Sequence, residues 1–465
     1  MATAIRLVLL GLLLLPLARG ADVRPNVLMI SVDDLNVWTG FLGGYPQKIT
    51  PNIDRLAARG MAFTRAYCAS PVCNPSRTAT LTGLRPGSTG VYNNLIDWRK
   101  HIPAERTLPA TFKRAGYRTI GSGNIFHNLF NEVPGIWDEW LPFDGNNPKP
   151  PAHVSHGVGG IVFAPVGAPE DEMRDHRMIT WLSERLHRNT STPFFMACGI
   201  YKPHLPWNVP RKYFEMFPLE KIVRPEVLDR DWDDLPAAGR FCARNFASHG
   251  GAVERSDHEI MLESGRWKEA VQAYLASIAF ADAQVGRMLD ALDRSPHRDS
   301  TIVVLWSDHG FHVGEKLHWR KMTLWEEAGR IPLVWVVPGL TRPGQLCART
   351  VDLMSLYPTL AELCGIPIPS HVEGIGIRSL LANPQASWNR PAITTARLND
   401  HSVRSEQWRY IRYHDGGEEL YDETKDPREW TNLARDSRHA AVKADLARWL
   451  PKTNRPVLPP DMQEK

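Results

Sequence analysis

The sequence predicts an α/β fold in which a large, mainly parallel sheet is sandwiched by helices, followed by a smaller C-terminal α+β subdomain with an antiparallel sheet. From Asn26 onward, short apolar runs alternate with amphipathic helical stretches, which is typical of parallel sheets covered on both faces. Polar residues follow several of these runs, and open α/β folds gather ligands at that edge. After Gly365 the connections become rich in proline. These shifts predict a signal peptide at 1–20, a catalytic domain at 21–375 and a C-terminal subdomain at 376–465.

The first elements can be placed from apolar runs and capping residues. The first strand covers residues 26–32. A helix is predicted at 51–59, with Thr50 as its cap, proline at its first position and glycine after its end. A further helix is bracketed by Thr107 and Gly116.

The later elements follow from the same signals. Buried strands are predicted at 194–200 and 301–306. Between them, eight apolar residues over 271–292 recur at helical spacing and predict a long amphipathic helix. The stretch 217–265 lacks sustained periodicity and is interpreted as an irregular excursion near the pocket. A β-hairpin is predicted over 408–421.

Charge and targeting signals exclude some function classes. The net charge of +4, from 55 basic and 51 acidic residues without a basic block, argues against a nucleic-acid partner. Residues 5–17 form an apolar run that is shorter than the roughly 20 residues a membrane anchor needs. Ala18 and Gly20 are small residues where signal peptidase cuts, which predicts cleavage before Ala21. We therefore expect a secreted or periplasmic protein, or a lysosomal-type one in a eukaryote, without a stable membrane anchor.

The motif with the most chemistry is Cys73-Asn74-Pro75-Ser76-Arg77. Pro75 is suited to the first position of a helix and Asn74 to its cap, so Cys73 is predicted at a helix amino terminus, which favours anions. Arg77 lies one turn further on and can point its guanidinium at the same place. A bare C-x-P-x-R arises by chance in a few per cent of chains of this length, so other motifs must decide its meaning.

Those motifs are present in a fixed order. Asp33-Asp34 precede the cysteine, and His127, Lys202-Pro203-His204, Asp308-His309 and Lys321 follow it. Together they resemble the sulfatase family of formylglycine-dependent enzymes, in the alkaline-phosphatase-like superfamily, and the iduronate-2-sulfatase branch in particular. The resemblance covers most of the chain and implies hydrolysis of sulfate esters.

The resemblance implies a nucleophile and a metal site. Cys73 would be oxidised to formylglycine by a formylglycine-generating enzyme, and the hydrated aldehyde would attack sulfur. Asp33, Asp34, Asp308 and His309 would join it in holding calcium, with magnesium as the less favoured ion, since oxygen-rich sites prefer these cations. Taken alone, an acid pair at a strand end is more often a cap or a solvated turn.

The same resemblance implies roles for the remaining motif residues. His127 would take a proton while sulfate is released, and His204 would contact sulfate and help to protonate the leaving oxygen. Lys321 would bind the bridging oxygen, and Arg77 would hold the nucleophile or the sulfate. The substrate implied is a sulfated carbohydrate, such as the 2-O-sulfated uronic acids of glycosaminoglycans.

One residue departs from the family pattern. Where G-K-x-F-H has a sulfate-binding lysine, this chain has Asn124, which keeps hydrogen-bond donors but carries no charge. Arg99, Lys100, Lys202 and Lys316 are the candidates to replace that charge. Two alternatives stay open at this point: a hydrolase of phosphate mono- or diesters, because related folds exchange these chemistries, and a sulfated-glycan-binding protein with little turnover.

Overall fold

A computed structural model describes residues 24–127, 130–142, 147–151, 157–244 and 255–461. The predicted signal peptide at 1–20 lies outside the described residues. The described strands are β1 Asn26–Val32, β2 Met61–Tyr67, β3 Arg118–Gly123, β4 Glu139–Leu141, β5 Phe194–Ile200, β6 Thr301–Ser307, β7 His312–Val313, β8 Trp319–Arg320, β9 Arg330–Val336, β10 Gln345–Cys347, β11 Val351–Asp352, β12 Ala392–Arg397, β13 Asp400–Arg404, β14 Trp408–Arg412 and β15 Glu418–Asp422. The described helices are α1 Pro51–Arg59, α2 Cys73–Thr82, α3 Pro86–Thr89, α4 Leu108–Arg114, α5 Arg174–Leu186, α6 Arg211–Glu215, α7 Ala237–Arg244, α8 Asp257–Ser264, α9 Trp267–Asp293, α10 Glu326–Gly329, α11 Leu356–Leu363, α12 Arg378–Ala382 and α13 Ala440–Ala447.

The large sheet confirms the predicted α/β class. Within the described ranges it has nine strands in the order β10-β2-β9-β6-β1-β5-β3-β4, with β11 also paired to β2. Its pairs are parallel except those that β9 makes with β2 and β6. Both faces of β1 are buried: Leu28 packs into one core and Val27 and Met29 into the other. This two-sided burial explains its continuous apolar run.

Helices cover both faces of this sheet. On one face lie α1, α5 and α9, and on the other lie α4 and α11. The long helix predicted over 271–292 is observed as α9, and its apolar stripe packs on the core as expected. Among the described residues, no helix is both long and apolar enough to cross a lipid bilayer.

Helix α1 has the predicted bounds but a different cap. The Thr50 side chain makes no capping bond and instead donates to Asp54 Oδ2 at 3.2 Å. The carboxylate of Asp282, in α9, accepts from the backbone amides of Asn52 at 3.1 Å and Ile53 at 2.8 Å. A helix start needs acceptors for its first amides, and here a neighbouring helix supplies them. The predicted threonine cap was therefore wrong.

The stretch 217–265, predicted to be irregular, contains two helices in its described part. These are α7 and α8, and α8 begins with a capping box in which Ser256 and Glu259 each bond the other's backbone amide. This S-x-x-E pattern is present in the sequence, but the stretch lacks sustained helical periodicity and was therefore predicted to be irregular. A helix of eight residues is too short to show sustained periodicity.

The C-terminal strands form the predicted antiparallel sheet, in the order β12-β13-β14-β15. The hairpin pairs Trp408 with Asp422 and Arg412 with Glu418. Arg409 of β14 is fully buried, contacts Glu326 of α10 and lies 2.5 Å from Glu429, which ties this sheet to the large one. The division of the chain at residue 375 stays a prediction.

Candidate active site

Four neighbouring strands deliver polar residues to one edge of the large sheet. In spatial order these are β6, β1, β5 and β3. They are followed by Asp308, by Asp33 and Asp34, by His204 and by His127, respectively. Because parallel strands end at the same edge, residues far apart in sequence meet there, as expected for a ligand site of an open α/β fold.

Cys73 enters this edge as the first residue of α2. The helix thus begins two residues earlier than predicted, and Asn74 is not its cap. The Asn74 side chain instead donates to the Asn93 carbonyl at 2.9 Å, and its backbone amide donates to Asn94 Oδ1 at 3.0 Å. Pro75 is tolerated at the third position because the first amides of a helix have no intrahelical partner. The predicted placement of Cys73 at a helix amino terminus is confirmed.

The Cys73 sulfur is enclosed by charged and polar groups. It lies 3.0 Å from Lys321 Nζ, 3.3 Å from His309 Nε2 and 3.8 Å from Asp33 Oδ1, and the residue is 1% exposed. Burial raises the pKa of the Cys73 thiol well above its usual value, and the nearby lysine only partly opposes this. An unmodified thiol here is neutral and therefore a poor nucleophile.

Four of the predicted metal ligands lie close together. Donor atoms of Asp33, Asp34, Cys73 and His309 are all within 4.8 Å of one another, and all four residues are buried. His309 Nδ1 is 2.9 Å from the Gly310 carbonyl, which can only accept, so Nδ1 carries a hydrogen and Nε2 faces the cluster.

Asp308 adjoins this group and is paired with Arg77. Arg77 Nε donates to Asp308 Oδ2 at 2.9 Å, and Nη2 lies 3.2 Å from Asp33 Oδ1, with both ion pairs fully buried. Burial opposes ionisation of Asp308, but the guanidinium outweighs it and holds the pKa of this carboxyl at about 2. Arg77 also donates to the carbonyls of Asn124 and Ile125. Its side chain therefore holds two carboxylates in place.

Lys321 places a second cation at the site. Its Nζ donates to Asp34 Oδ1 at 2.7 Å. Burial favours the neutral amine, yet Asp34 and the other acids raise the pKa of Lys321, so the ammonium stays charged. Asp34 Oδ2 is buried and has no hydrogen-bond partner within the described part of the chain.

The two predicted histidines are neutral at neutral pH. Burial lowers the pKa of His127 to about 3, and its Nδ1 has no hydrogen-bond partner in the described ranges. Burial also lowers the pKa of His204. His204 Nδ1 is 2.5 Å from the Leu205 carbonyl, and Nε2 faces Asp34 Oδ2 at 4.0 Å.

The Asn124 side chain is hydrogen-bonded within the protein. Its side-chain amide donates to Asp33 Oδ2. Its oxygen accepts from Asn131 Nδ2 at 3.2 Å, and Asn131 Oδ1 accepts from the Ile125 amide at 3.1 Å. Asn131 was not predicted, because nothing in its local sequence marks it. These bonds orient the Asn124 amide nitrogen toward Asp33.

The four basic residues considered as replacements for the family lysine are bound to other acceptors. Arg99 lies 2.8 Å from Asp97, Lys100 lies 2.8 Å from Asp461, Lys202 donates to the His204 carbonyl at 3.2 Å and Lys316 lies 2.6 Å from Asp231. None of these contacts is made with the acids at positions 33, 34 and 308.

Comparison with known proteins decides the family. A family model described as sulfatase matches residues 25–366, which is most of the chain. The chain belongs to the sulfatase family. A second model, described as the C-terminal part of N-sulphoglucosamine sulphohydrolase, matches residues 314–455 of this sulfatase. The predicted family and the predicted class of enzyme, a sulfuric ester hydrolase, are confirmed.

Individual relatives agree with this assignment. A sulfatase of Formosa agariphila is 37% identical over 93% of this chain and 87% of that protein. Human iduronate 2-sulfatase is 32% identical over 75% of this chain and 72% of that protein. The structure of a phosphonate monoester hydrolase of Agrobacterium radiobacter has a TM-score of 0.76 at 22% identity, covering 91% of this chain and 94% of that one. At that identity the likeness shows a shared fold.

Proposed function

We propose that this sulfatase removes 2-O-sulfate from uronic-acid residues of glycosaminoglycan-type saccharides, with a formylglycine made from Cys73 and a bound calcium ion. The observation that carries the proposal is the enclosure of Cys73 Sγ by Asp33, His309 and Lys321 within 3.8 Å. The substrate class is supported by the likeness to human iduronate 2-sulfatase.

The unmodified thiol is poorly suited to act as the nucleophile itself. Burial raises the pKa of the Cys73 thiol well above its usual value, so the thiol stays neutral beside the acids of the site. We therefore assign the nucleophile to the formylglycine made from this cysteine. The hydrated aldehyde supplies one hydroxyl that attacks sulfur and a second that takes part in releasing sulfate. The formylglycine-generating enzyme is therefore the proposed partner during maturation.

The donor set fits a hard divalent cation once residue 73 carries oxygen. Asp33 and Asp34 offer carboxylate oxygens beside His309 Nε2, and Asp308 Oδ2 lies 3.5 Å from the same nitrogen. The thiol is the one soft donor, and its oxidation would leave a set that prefers calcium or magnesium to zinc. When bound, calcium would supply positive charge that orients the nucleophilic oxygen and the ester.

The charge balance supports the same conclusion. Three buried carboxylates, those of residues 33, 34 and 308, face the two permanent cations Arg77 and Lys321. One negative charge of this set remains uncompensated, and the buried Asp34 Oδ2 lacks a hydrogen-bond partner among the described residues. A buried unpaired charge is costly, so a cation belongs here.

The chain's own residues then handle the leaving group and the protons. Lys321 remains charged and lies beside residue 73, where it can donate to the bridging oxygen as the S–O bond breaks. His204 lies next to Asp34 and, when its ring is protonated, can pass a proton from Nε2 to the departing alkoxide. His127 stays neutral down to about pH 3 and can accept a proton while sulfate is released. Arg77 orients the two acids that hold the ion.

The test is to express the full chain with and without a formylglycine-generating enzyme. Mass spectrometry of the peptide containing Cys73 reports the modification, and aryl sulfate and aryl phosphate esters report the chemistry. We expect sulfate turnover only in the modified protein, and none in Cys73→Ala. Cys68→Ala is the matched control, because Cys68 is also buried but bonds the Ala328 carbonyl away from the site.

Saccharide substrates test the specificity. A disaccharide with a 2-O-sulfated uronic acid should be desulfated faster than one sulfated at C6 of glucosamine. The proposed formylglycine nucleophile is refuted if Cys73 stays unmodified after co-expression, or if the unmodified protein is equally active. Faster cleavage of phosphate esters favours the phosphohydrolase alternative, and tight binding of sulfated saccharide without turnover favours the binding protein.

A further inference from the structure

The loop that presents Lys321 has an uncommon backbone. Four of its non-glycine residues have positive φ: Lys316 at 56°, Leu317 at 53°, Arg320 at 75° and Met322 at 74°. Left-handed backbone is unfavourable for residues with a Cβ, and such a cluster persists only where surrounding contacts hold it. The position of the Lys321 ammonium therefore depends on what holds this loop.

The first contact is a buried ion pair. Lys316 Nζ lies 2.6 Å from Asp231 Oδ1, with side-chain exposures of 1% and 0%, and it also donates to the Glu429 carbonyl at 2.5 Å. The neighbouring Trp232 donates from Nε1 to the Lys316 carbonyl at 2.6 Å. The side chain and the backbone of Lys316, which has a left-handed conformation, are thus both bound by residues of the stretch 217–265.

Two further contacts come from the same stretch. The His318 ring lies between two carbonyls, with Nδ1 2.8 Å from Ala243 O and Nε2 3.2 Å from Lys321 O. Arg320 Nε donates to Asp257 Oδ2 at 2.6 Å. Lys321 directly follows Arg320 in the sequence, and its Nζ reaches the site.

We infer that Asp231, Trp232, Ala243 and Asp257 form a brace that positions Lys321, with Asp231 as its principal positioning residue. The inference rests on the proposed role of Lys321 at the bridging oxygen and adds the residues that hold it there. Without the Asp231 carboxylate, the Lys316 ammonium is left in a buried place without its counter-ion. The left-handed turn then relaxes, and the Lys321 ammonium moves away from the leaving oxygen.

The experiment measures kcat/KM for a series of aryl sulfates whose leaving groups differ in basicity, using the modified enzyme. A lysine at the bridging oxygen matters most for basic leaving groups. Asp231→Asn is therefore expected to lose little with the most acidic phenol and up to about 100-fold with the most basic one, the range that small misplacements of a catalytic group produce. Asp233→Asn is the matched control, since Asp233 is 57% exposed and pairs with Arg230 on the surface.

Two more variants keep the outcomes distinct. Trp232→Phe removes one hydrogen bond and keeps the ion pair, so it should fold and show the same trend more weakly. Lys321→Ala should show the steepest dependence on the leaving group. If Lys321→Ala follows the parent, the proposed role of Lys321 fails. The brace alone is refuted if Lys321→Ala depends more steeply on leaving-group basicity than the parent while Asp231→Asn shows the parent's dependence. Where Asp231→Asn does not fold, Trp232→Phe takes its place in this comparison.

Discussion

Replacement of Arg77 gives the sharpest test of how the site is held together. Arg77 is fully buried and joins Asp308 at 2.9 Å and Asp33 at 3.2 Å. Arg77→Met keeps the bulk of the side chain and leaves both acids without their partner. Removing one member of a buried ion pair costs about 3–5 kcal/mol. At about 2.1 cal/mol/K per residue, the 465 residues have an unfolding entropy of about 1 kcal/mol/K, so each kcal/mol lowers the melting temperature by about 1 °C and a loss of about 3–5 °C is expected.

The assay is thermal unfolding of the protein with unmodified Cys73, which separates stability from catalysis. Calcium should recover part of the loss in Arg77→Met, because the ion neutralises the same carboxylates. The melting temperature of Arg77→Lys should lie between those of the parent and Arg77→Met. One ammonium cannot bind both acids and also the Ile125 carbonyl, which Arg77 reaches at 3.2 Å. These variants therefore separate the charge of the guanidinium from its fork geometry.

A surface arginine supplies the control. Arg448 is 74% exposed and pairs with Asp445, which is 59% exposed. Exposed pairs contribute about 0–1 kcal/mol, so Arg448→Met should melt within about 1 °C of the parent. If Arg77→Met melts as close to the parent as Arg448→Met does, the buried acids do not depend on the guanidinium and the reasoning about this site is refuted.

Three further predictions follow from single residues. Asn124→Lys should raise turnover about tenfold, because it adds a cation that can make a charge-assisted bond to the sulfate; unchanged or lower turnover would mean that another group already fills the gap. Asp34→Asn should weaken calcium binding more than about tenfold in titration calorimetry, and EDTA should lower the melting temperature of the parent but not of this variant. Burial lowers the pKa of His258 from 6.5 to about 4, so the unfolded chain binds a proton there that the folded chain excludes. Stability present above pH 6.5 should fall with a slope of up to about 1.4 kcal/mol per pH unit as the pH drops through this window, and urea unfolding of His258→Gln should lack that contribution.

Two strands that are buried on both faces, β1 and β5, were predictable to the residue, whereas β6 ends one residue later than predicted. The bounds of β1 and β5 follow from uninterrupted apolar runs, because both faces of a central parallel strand pack on helices. Helix ends were harder to predict. Thr50 and Asn74 have the side chains of caps, yet Thr50 bonds Asp54 and Asn74 bonds Asn93, so tertiary partners replaced the local signal.

In the candidate site, too, some features could be predicted from the sequence and others could not. Cys73, the acid pair and the later motif residues could be named because their order along the chain resembles the sulfatase family. The direction in which each side chain points could not. That Arg77 binds Asp308 and that Asn124 donates to Asp33 are consequences of contacts between distant segments.

The sequence by itself determined the family, the class of reaction and the sheet edge where the reactive groups gather, because apolar runs and short motifs are local patterns. The tertiary structure alone decided what supports those groups. Asn131 behind Asn124, and Asp231 behind the loop of Lys321, are single polar residues without a local pattern. Their significance arises only when folding buries them beside a partner far away in the chain, where an unmatched charge or amide would be costly.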